Sequence, residues 1–253
     1  DPDMRGAIRS RSLNTDGIDF IASHNRIYHN IFYDNERAIT SWSPSSTLYT
    51  DDNIFKNNIF YYNQSTIFLP FTNYTTLNRN YFFFNLIYGQ TAGENVIRLV
   101  NTDYTVSSVQ IQLPELYKGN LEALPQFIDP ENDNFHLSTS SPARDAGQAL
   151  TYTTAAGSGT EIPIEDPLYF SDGYGLIEGD LIIVGNNEPV QVIGVDYQNK
   201  KLKVNREISW TDQAEVSLFY LGDAPDPGVF EFGDTSLKIV NNELPGGKKD
   251  YFY

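Results

Sequence analysis

Asn25-Arg-Ile-Tyr-His-Asn30-Ile-Phe-Tyr-Asp-Asn35 is followed by Asn53-Ile-Phe-Lys-Asn-Asn58-Ile-Phe-Tyr-Tyr-Asn63 and, degraded, by Thr75-Thr-Leu-Asn-Arg-Asn80-Tyr-Phe-Phe-Phe-Asn85. Aligned on Asn30, Asn58 and Asn80, the copies put Ile27, Phe55 and Leu77 in one column, Phe32, Phe60 and Phe82 in another, and Asn35, Asn63 and Asn85 in a third. The spacings are 28 and then 22 residues, the length of one supersecondary unit per turn of a solenoid. An apolar residue, an Asn, and an apolar residue two places on suit a short strand, a tight corner and a second strand. A buried corner Asn bonds backbone groups that the turn leaves unpaired, and stacked copies bond one another. The pattern therefore predicts an all-β parallel β-helix, each coil covering the apolar face of the one before.

Working outward, Ala7-Ile8 and Gly17-Ile18-Asp-Phe20-Ile21 on either side of Asn14-Thr-Asp-Gly17 read as one earlier coil, and Val96-Ile-Arg-Leu-Val100 as a later strand. Residues 101–124 lose the pattern and read as an irregular excursion, and no useful helical periodicity appears. The whole chain has 253 residues and a net charge of −16. Residues 1–60 carry six Lys/Arg against eight Asp/Glu, so most of the negative charge lies after residue 60. An acidic body repels nucleic acid and anionic lipid, which excludes both as expected partners. Without cysteine there is no disulfide framework or thiolate metal site. No apolar run reaches bilayer-spanning length.

The writing changes at Pro125. Pro125-Gln-Phe-Ile-Asp-Pro130, Asp133-Asn-Phe-His-Leu137, Ser140-Ser-Pro-Ala-Arg-Asp-Ala-Gly147 and Ala224-Pro-Asp-Pro-Gly-Val-Phe-Glu-Phe232 closely resemble the closing phrases of secreted bacterial right-handed parallel β-helix proteins of the pectate-lyase-like superfamily. Pro227 and Val229 depart from the usual Ile and Ala. The resemblance implies that 1–150 are the last coils of such a β-helix, in a secreted or cell-surface protein that meets a polysaccharide or cell-surface glycan. It does not choose among lyases, hydrolases, epimerases and non-catalytic members.

Between the closing phrases, Asp180–Val184, Val190–Val195, Leu202–Val204 and Val216–Tyr220 read as short strands, with Tyr197-Gln-Asn-Lys200 as a hairpin turn. Residues 151–233 are thus expected to form a small antiparallel β-barrel or sandwich module. Ser236-Leu-Lys-Ile-Val240 and the tail to Tyr253 resemble the start of an Ig-like repeat, giving 234–253 to a following domain. Both ends then read as cuts in a longer multidomain parent, with upstream coils and downstream Ig-like domains as neighbours in the same chain.

Candidate chemistry falls into four sets. Asn14-Thr-Asp-Gly-Ile-Asp19 resembles the polygalacturonase hexapeptide that carries a catalytic carboxylate, which would make Asp16 and Asp34 acid and base; the paired second carboxylate is Asn35 here, and Asp16 also fits an ordinary turn. A lyase would instead use a Lys or Arg base, with Lys56 and Arg79 in neighbouring outward columns and His29 aligned to Arg79. No cofactor is required, but Asp51 and Asp52 have the oxygen ligands that calcium takes. For sugar binding, Arg9 and Arg11 share a strand face, and Tyr33 and Tyr61 follow the interior Phe column as an outward aromatic stripe, either open for stacking or covered by the excursion. The two functional readings are a non-catalytic carbohydrate-binding or adhesive module and a polysaccharide-degrading hydrolase or lyase.

Overall fold

The computed structural model describes residues 3–9, 16–19, 24–40, 52–69 and 79–234. The described chain is mostly β, with parallel and antiparallel sheets. Its first part runs β1 (Asp3–Arg9), β2 (Asp16–Asp19), β3 (Arg26–Tyr33), β4 (Arg37–Thr40), β5 (Ile54–Lys56), β6 (Ile59–Tyr61), β7 (Ser65–Leu69), β8 (Tyr81–Phe83), β9 (Leu86–Tyr88), β10 (Ile97–Leu99), β11 (Thr102–Tyr104), α1 (Val106–Gln112) and β12 (Tyr117–Lys118). One sheet is wholly parallel: β1 pairs with β3, β3 with both β5 and β6, β5 with β8, β6 with β9, and β8 with β12. In a second sheet β2, β4, β7 and β10 are parallel neighbours and only β11 turns back.

Like residues meet across these layers because the pairing is in register. Phe32 stacks on Phe60 at 4.6 Å, Phe55 on Phe82 at 4.5 Å, and Phe82 on Tyr117 at 4.9 Å, all with nearly parallel rings. On the facing sheet Ile39, Ile67 and Ile97 lie side by side, and the two sets share one core. The corners explain the asparagines. His24, His29, Asp34, Asp52, Asn57, Tyr62 and Phe84 all take positive φ, and each immediately precedes an Asn. A non-glycine residue there costs about 1–2 kcal/mol. The following Asn offsets that cost. At Asn53, Asn58, Asn63 and Asn85 its Oδ1 accepts the backbone N–H and side-chain amide of the Asn one layer back, as from Asn30 to Asn58 (2.9 and 3.2 Å) and from Asn58 to Asn85 (2.9 and 2.9 Å). Its own amide reaches back to a carbonyl, as Asn58 does to Ile27 at 2.9 Å.

Those ladders correct the alignment of the third copy. Asn80 continues Asn25 and Asn53, and Asn85 continues Asn30 and Asn58 on to Asn120. Phe82 therefore belongs with Phe55, not Phe60, and the phrase starts at Asn80. The excursion also differs from expectation. It holds β11, α1 and β12, and α1 is capped by Thr105, which accepts from Ser108 N while Ser108 Oγ accepts from Thr105 N. Val106 and Val109 seal the core, so these residues cover one side of the layers.

Then come β13 (Phe127–Asp129) and β14 (Asn134–Leu137), an antiparallel pair made by the first closing phrases. The remaining strands are β15 (Thr151–Tyr152), β16 (Gly157–Pro163), β17 (Leu181–Val184), β18 (Val190–Asp196), β19 (Lys201–Trp210) and β20 (Glu215–Leu218). They form one six-stranded sheet in the order β15-β20-β17-β18-β19-β16, and a bridge between Thr153 and Ile164 joins its two ends. The four strands expected here are present, as is the turn between Asp196 and Lys201. Its core is mainly aliphatic, built on Ile162, Ile182, Val184, Val192, Leu202, Val204 and Val216, with Tyr169, Phe170 and Trp210 at its margin. Residues 235–253, expected to begin a further domain, lie outside the described residues.

Candidate functional site

A cluster of chemically capable side chains lies where the parallel layers meet the antiparallel sheet. Strand alternation sends Arg26 and Tyr28 of β3 and Lys56 of β5 outward. All three then meet the second unit. Arg26 Nε donates to Asp166 Oδ2 at 2.7 Å, and the Tyr28 hydroxyl donates to the Tyr169 carbonyl at 2.5 Å. The Tyr28 and Tyr169 rings cross edge to face at 5.2 Å. Lys56 Nζ donates to the Leu150 carbonyl at 3.4 Å and sits 5.9 Å from the Phe84 ring centroid. Burial lowers the Lys56 amine to about 8, against the opposing pull of Glu215, Asp166 and Glu165. Burial also raises the Tyr169 hydroxyl, while Arg26 pulls it down.

One turn further on, His29 is buried. Its Nδ1 faces the carbonyls of Asp226 (3.0 Å) and Gly228 (3.2 Å), and its Nε2 faces Asn57 Nδ2 at 3.2 Å. The Asn57 amide is fixed by Gln148, whose N–H it accepts (3.1 Å) and whose carbonyl it donates to (2.7 Å). The corners of the first unit therefore serve as its docking points for the second.

The residues singled out from sequence are dispersed around this junction. Lys56 is buried at the junction and is not a solvated side chain. Arg79 is not its neighbour: the corrected register makes Arg79 the counterpart of Asp52 and His24, and gives His29 the counterpart Asn57. Arg79 Nη2 binds Asp52 Oδ2 at 2.9 Å, with His24 Nε2 3.5 Å from the same oxygen. The carboxylate expected to face calcium thus faces the Arg79 guanidinium. Asp51 and Arg11 lie outside the described residues, as do the side chains of Arg9 and Asp16. Their strands are described: Arg9 pairs with Tyr33, and Asp16 with Arg37. Asp34 is an exposed corner residue with φ 57°, and its N–H reaches the Tyr61 carbonyl.

Tyr33 and Tyr61 do stack, at 5.5 Å, yet the column is covered. Phe135 packs edge-on against Tyr33 at 5.3 Å and Phe127 against Tyr61 at 5.8 Å. The cover is the β13–β14 pair, not the 101–124 excursion. Among the described residues no group of three or more His, Asp or Glu side chains can hold a metal ion, and no helix is long and apolar enough to cross a membrane. A separate cleft of about 260 Å³ on the antiparallel unit is lined by Glu161, Gly194, Asp196, Lys201 and Lys203. The sequence reading missed Arg26, Tyr28, Asp166 and Tyr169. The only local signal was that Arg26 and Tyr28 occupy outward positions in the first copy.

No family model, no curated protein and no solved structure matches this chain.

Proposed function

We propose that the parallel layers are the final coils of a right-handed parallel β-helix, that 151–233 form a small barrel packed on it, and that the pair is a non-catalytic, carbohydrate-associated module of a secreted or cell-surface protein. One observation carries the scaffold reading: Lys56, Arg79, Asp52, Tyr33 and Tyr61, the described side chains best suited to chemistry or sugar stacking apart from Asp34, are all engaged in contacts within the chain. A coil whose outward residues dock a second unit passes strain and position along the chain, which suits a structural or adhesive element. The glycan partner rests on the resemblance of the closing phrases, and the half-buried outward rings of Tyr81 and Phe83, 5.5 Å apart, are a stacking surface in keeping with it.

A second reading has its own support. An amine lowered to about 8 is tuned as a general base needs to be, which favours a lyase built on Lys56. Against it, Glu165, Asp166 and Glu215 surround that amine and repel a uronate. The test is a panel of neutral and acidic polysaccharides, assayed for binding, for new reducing ends and for unsaturated uronate absorbance, with and without calcium. Binding without cleavage is expected. Unsaturated products lost in Lys56→Arg make the protein a lyase, and reducing ends lost in Asp16→Asn make it a hydrolase; either result overturns the scaffold reading.

A further inference from the structure

Residues 221–232 cross the outer face of the parallel sheet, and titratable groups fasten them at two places. Gly228 lies so close to the sheet that an added Cβ would stand 3.0 Å from Ile59 and 3.2 Å from Ile31, and its N–H donates to the Asn57 carbonyl at 2.8 Å. Beside it, two carbonyls of the segment face His29 Nδ1, so that nitrogen must carry a proton. Asn57 Oδ1 is already taken by the Gln148 N–H, so Asn57 presents N–H to His29 Nε2, which must therefore be bare. The contacts admit only the neutral ring protonated at Nδ1.

At the other place three carboxylates share one knot of backbone N–H groups. Asp145 Oδ1 accepts from Asp223 and Ala224, Asp226 accepts from Asp145 (2.6 Å) and Phe232 (2.6 Å), and Glu231 accepts from Asp226 (3.1 Å) and Leu221 (3.3 Å). Three like charges this close disfavour full ionisation.

We propose that residues 221–232 are a clasp that stays shut only over an intermediate range of pH, with neutral His29 as its acid-sensitive fastening and a carboxyl proton held between Asp226 and Glu231 as its alkali-sensitive one. At the acid end, the open segment leaves His29 free to bind a proton that the closed contacts exclude, so closure weakens as pH falls through the ordinary imidazole range. At the alkaline end the sign is opposite. Burial, then Asp226 and Asp145, push Glu231 up to about 8 from its ordinary 4.5, and burial also raises Asp226. The closed form then holds a proton that the open form has lost, so closure is favoured below about 4.5 and declines as pH rises through about 8.

Among the described residues, the other titratable groups around His29 are Tyr28, whose ring meets it edge-on at 6.1 Å, Lys56 on the adjoining strand, and Asp226 and Asp145 across the contact; Arg5 of β1 holds the place in the register opposite Tyr28 and His29. Around Glu231 they are Tyr220, His136 stacked on Phe230 at 4.1 Å, and Arg144, whose guanidinium lies 3.9 Å over the Phe232 ring. Lys56 loses charge only near the alkaline limb, and it fastens residue 150, outside the segment.

The test is amide hydrogen exchange at Gly147, Gly228 and Phe232 from about pH 3 to about pH 9, corrected for the intrinsic pH dependence of exchange. Between about 4.5 and about 6.5 the two proton effects oppose one another and protection should be level; it should fall by up to about tenfold per pH unit, the limit for one proton, below that plateau and again above it until about pH 8. His29→Asn, a residue type at home at positive φ, should abolish the acid limb alone, and Glu231→Gln the alkaline limb alone. A flat wild-type profile, or a limb that survives in its folded variant, overturns the proposal. If a variant does not fold, the wild-type imidazole nitrogen shifts decide for His29. A neutral, Nδ1-protonated ring below about pH 6.5 supports the clasp, and a ring that charges without any change in exchange at Gly228 overturns it.

Discussion

The parallel layers and the antiparallel sheet solve the same problem, pairing every buried backbone group, in opposite ways. In the antiparallel unit the strands pair directly and the sheet ends meet at Thr153 and Ile164, so its interior is nearly all apolar and its few buried polar residues are Thr151, Thr153 and Ser217. In the parallel unit the chain turns a corner about every five residues, and each corner leaves donors and acceptors at the same place in every layer. Its interior therefore buries Asn30, Asn35, Asn53, Asn58, Asn63, Asn80, Asn85 and Asn120. A sheet whose ends are bridged is closed by geometry and tolerates a local lesion. A ladder is closed by chemistry, so one missing rung strands groups in the layers on both sides.

The largest predicted effect tests that contrast. Asn85→Ala removes the acceptor of Asn58 N and Nδ2 and the donor to the Phe55 carbonyl. Each stranded buried group costs about 1–3 kcal/mol, which puts the loss near 5 kcal/mol. Ile182→Ala, an equally buried deletion in the antiparallel core, should cost about 2–5 kcal/mol and fall below Asn85→Ala, because a bridged sheet can relax around the lesion. Urea denaturation of the two variants settles the order. A smaller loss for Asn85→Ala would mean the ladders are decorative.

Next in size is the junction. Below about pH 8 buried Lys56 carries its charge in both folded and unfolded chains, and folding bears the cost of burying it. Between about 8 and the ordinary 10.5 the folded chain releases the proton first, so stability rises through that window. Lys56→Met should therefore stabilise by about 2 kcal/mol at neutral pH, an advantage that fades towards pH 10.5. Equal destabilisation at both pH values would show that the amine's contact with Leu150 outweighs its desolvation. Tyr28→Phe should cost about 1–2 kcal/mol by orphaning the Tyr169 carbonyl. The sharper reading is calorimetric: two separable transitions in place of one would show that this contact couples the units.

Much of the first unit was legible because its information is local. The five-residue spacing of Asn25, Asn30 and Asn35 announces corners, and in-register stacking makes Phe32 and Phe60 neighbours as their columns predict. That spacing also explains the error in the third copy. A phrase with an inner period of five matches itself when slid by five, so Asn80 serves equally as a first or a second corner, and only its bond from Asn53 decides. The junction was illegible for the opposite reason. Arg26 meets Asp166 and Tyr28 meets Tyr169 across about 140 residues, and nothing in either stretch encodes the other. Lys56 looked solvated, and the Tyr33–Tyr61 column could be read as open or covered, because a single repeat cannot show what later folds over it. The seven-residue α1 buries only Val106 and Val109, too few positions to show a helical period.

The smallest effect concerns a side chain that neither solution uses. Arg79 binds Asp52 across two corners of the parallel unit, with its side chain 62% exposed and that of Asp52 24% exposed. Water screens such a pair, and holding a long side chain in one geometry costs entropy, so Arg79→Ala should change stability by under about 0.5 kcal/mol. The urea midpoint should move by little at low salt and by less at high salt. A loss several times larger would mean that Asp52, at φ 57° and immediately before Asn53, depends on its cation to hold the left-handed corner. The ladders would then be supported from outside as well as from within, and the division between corner chemistry and surface charge drawn above would have to be redrawn.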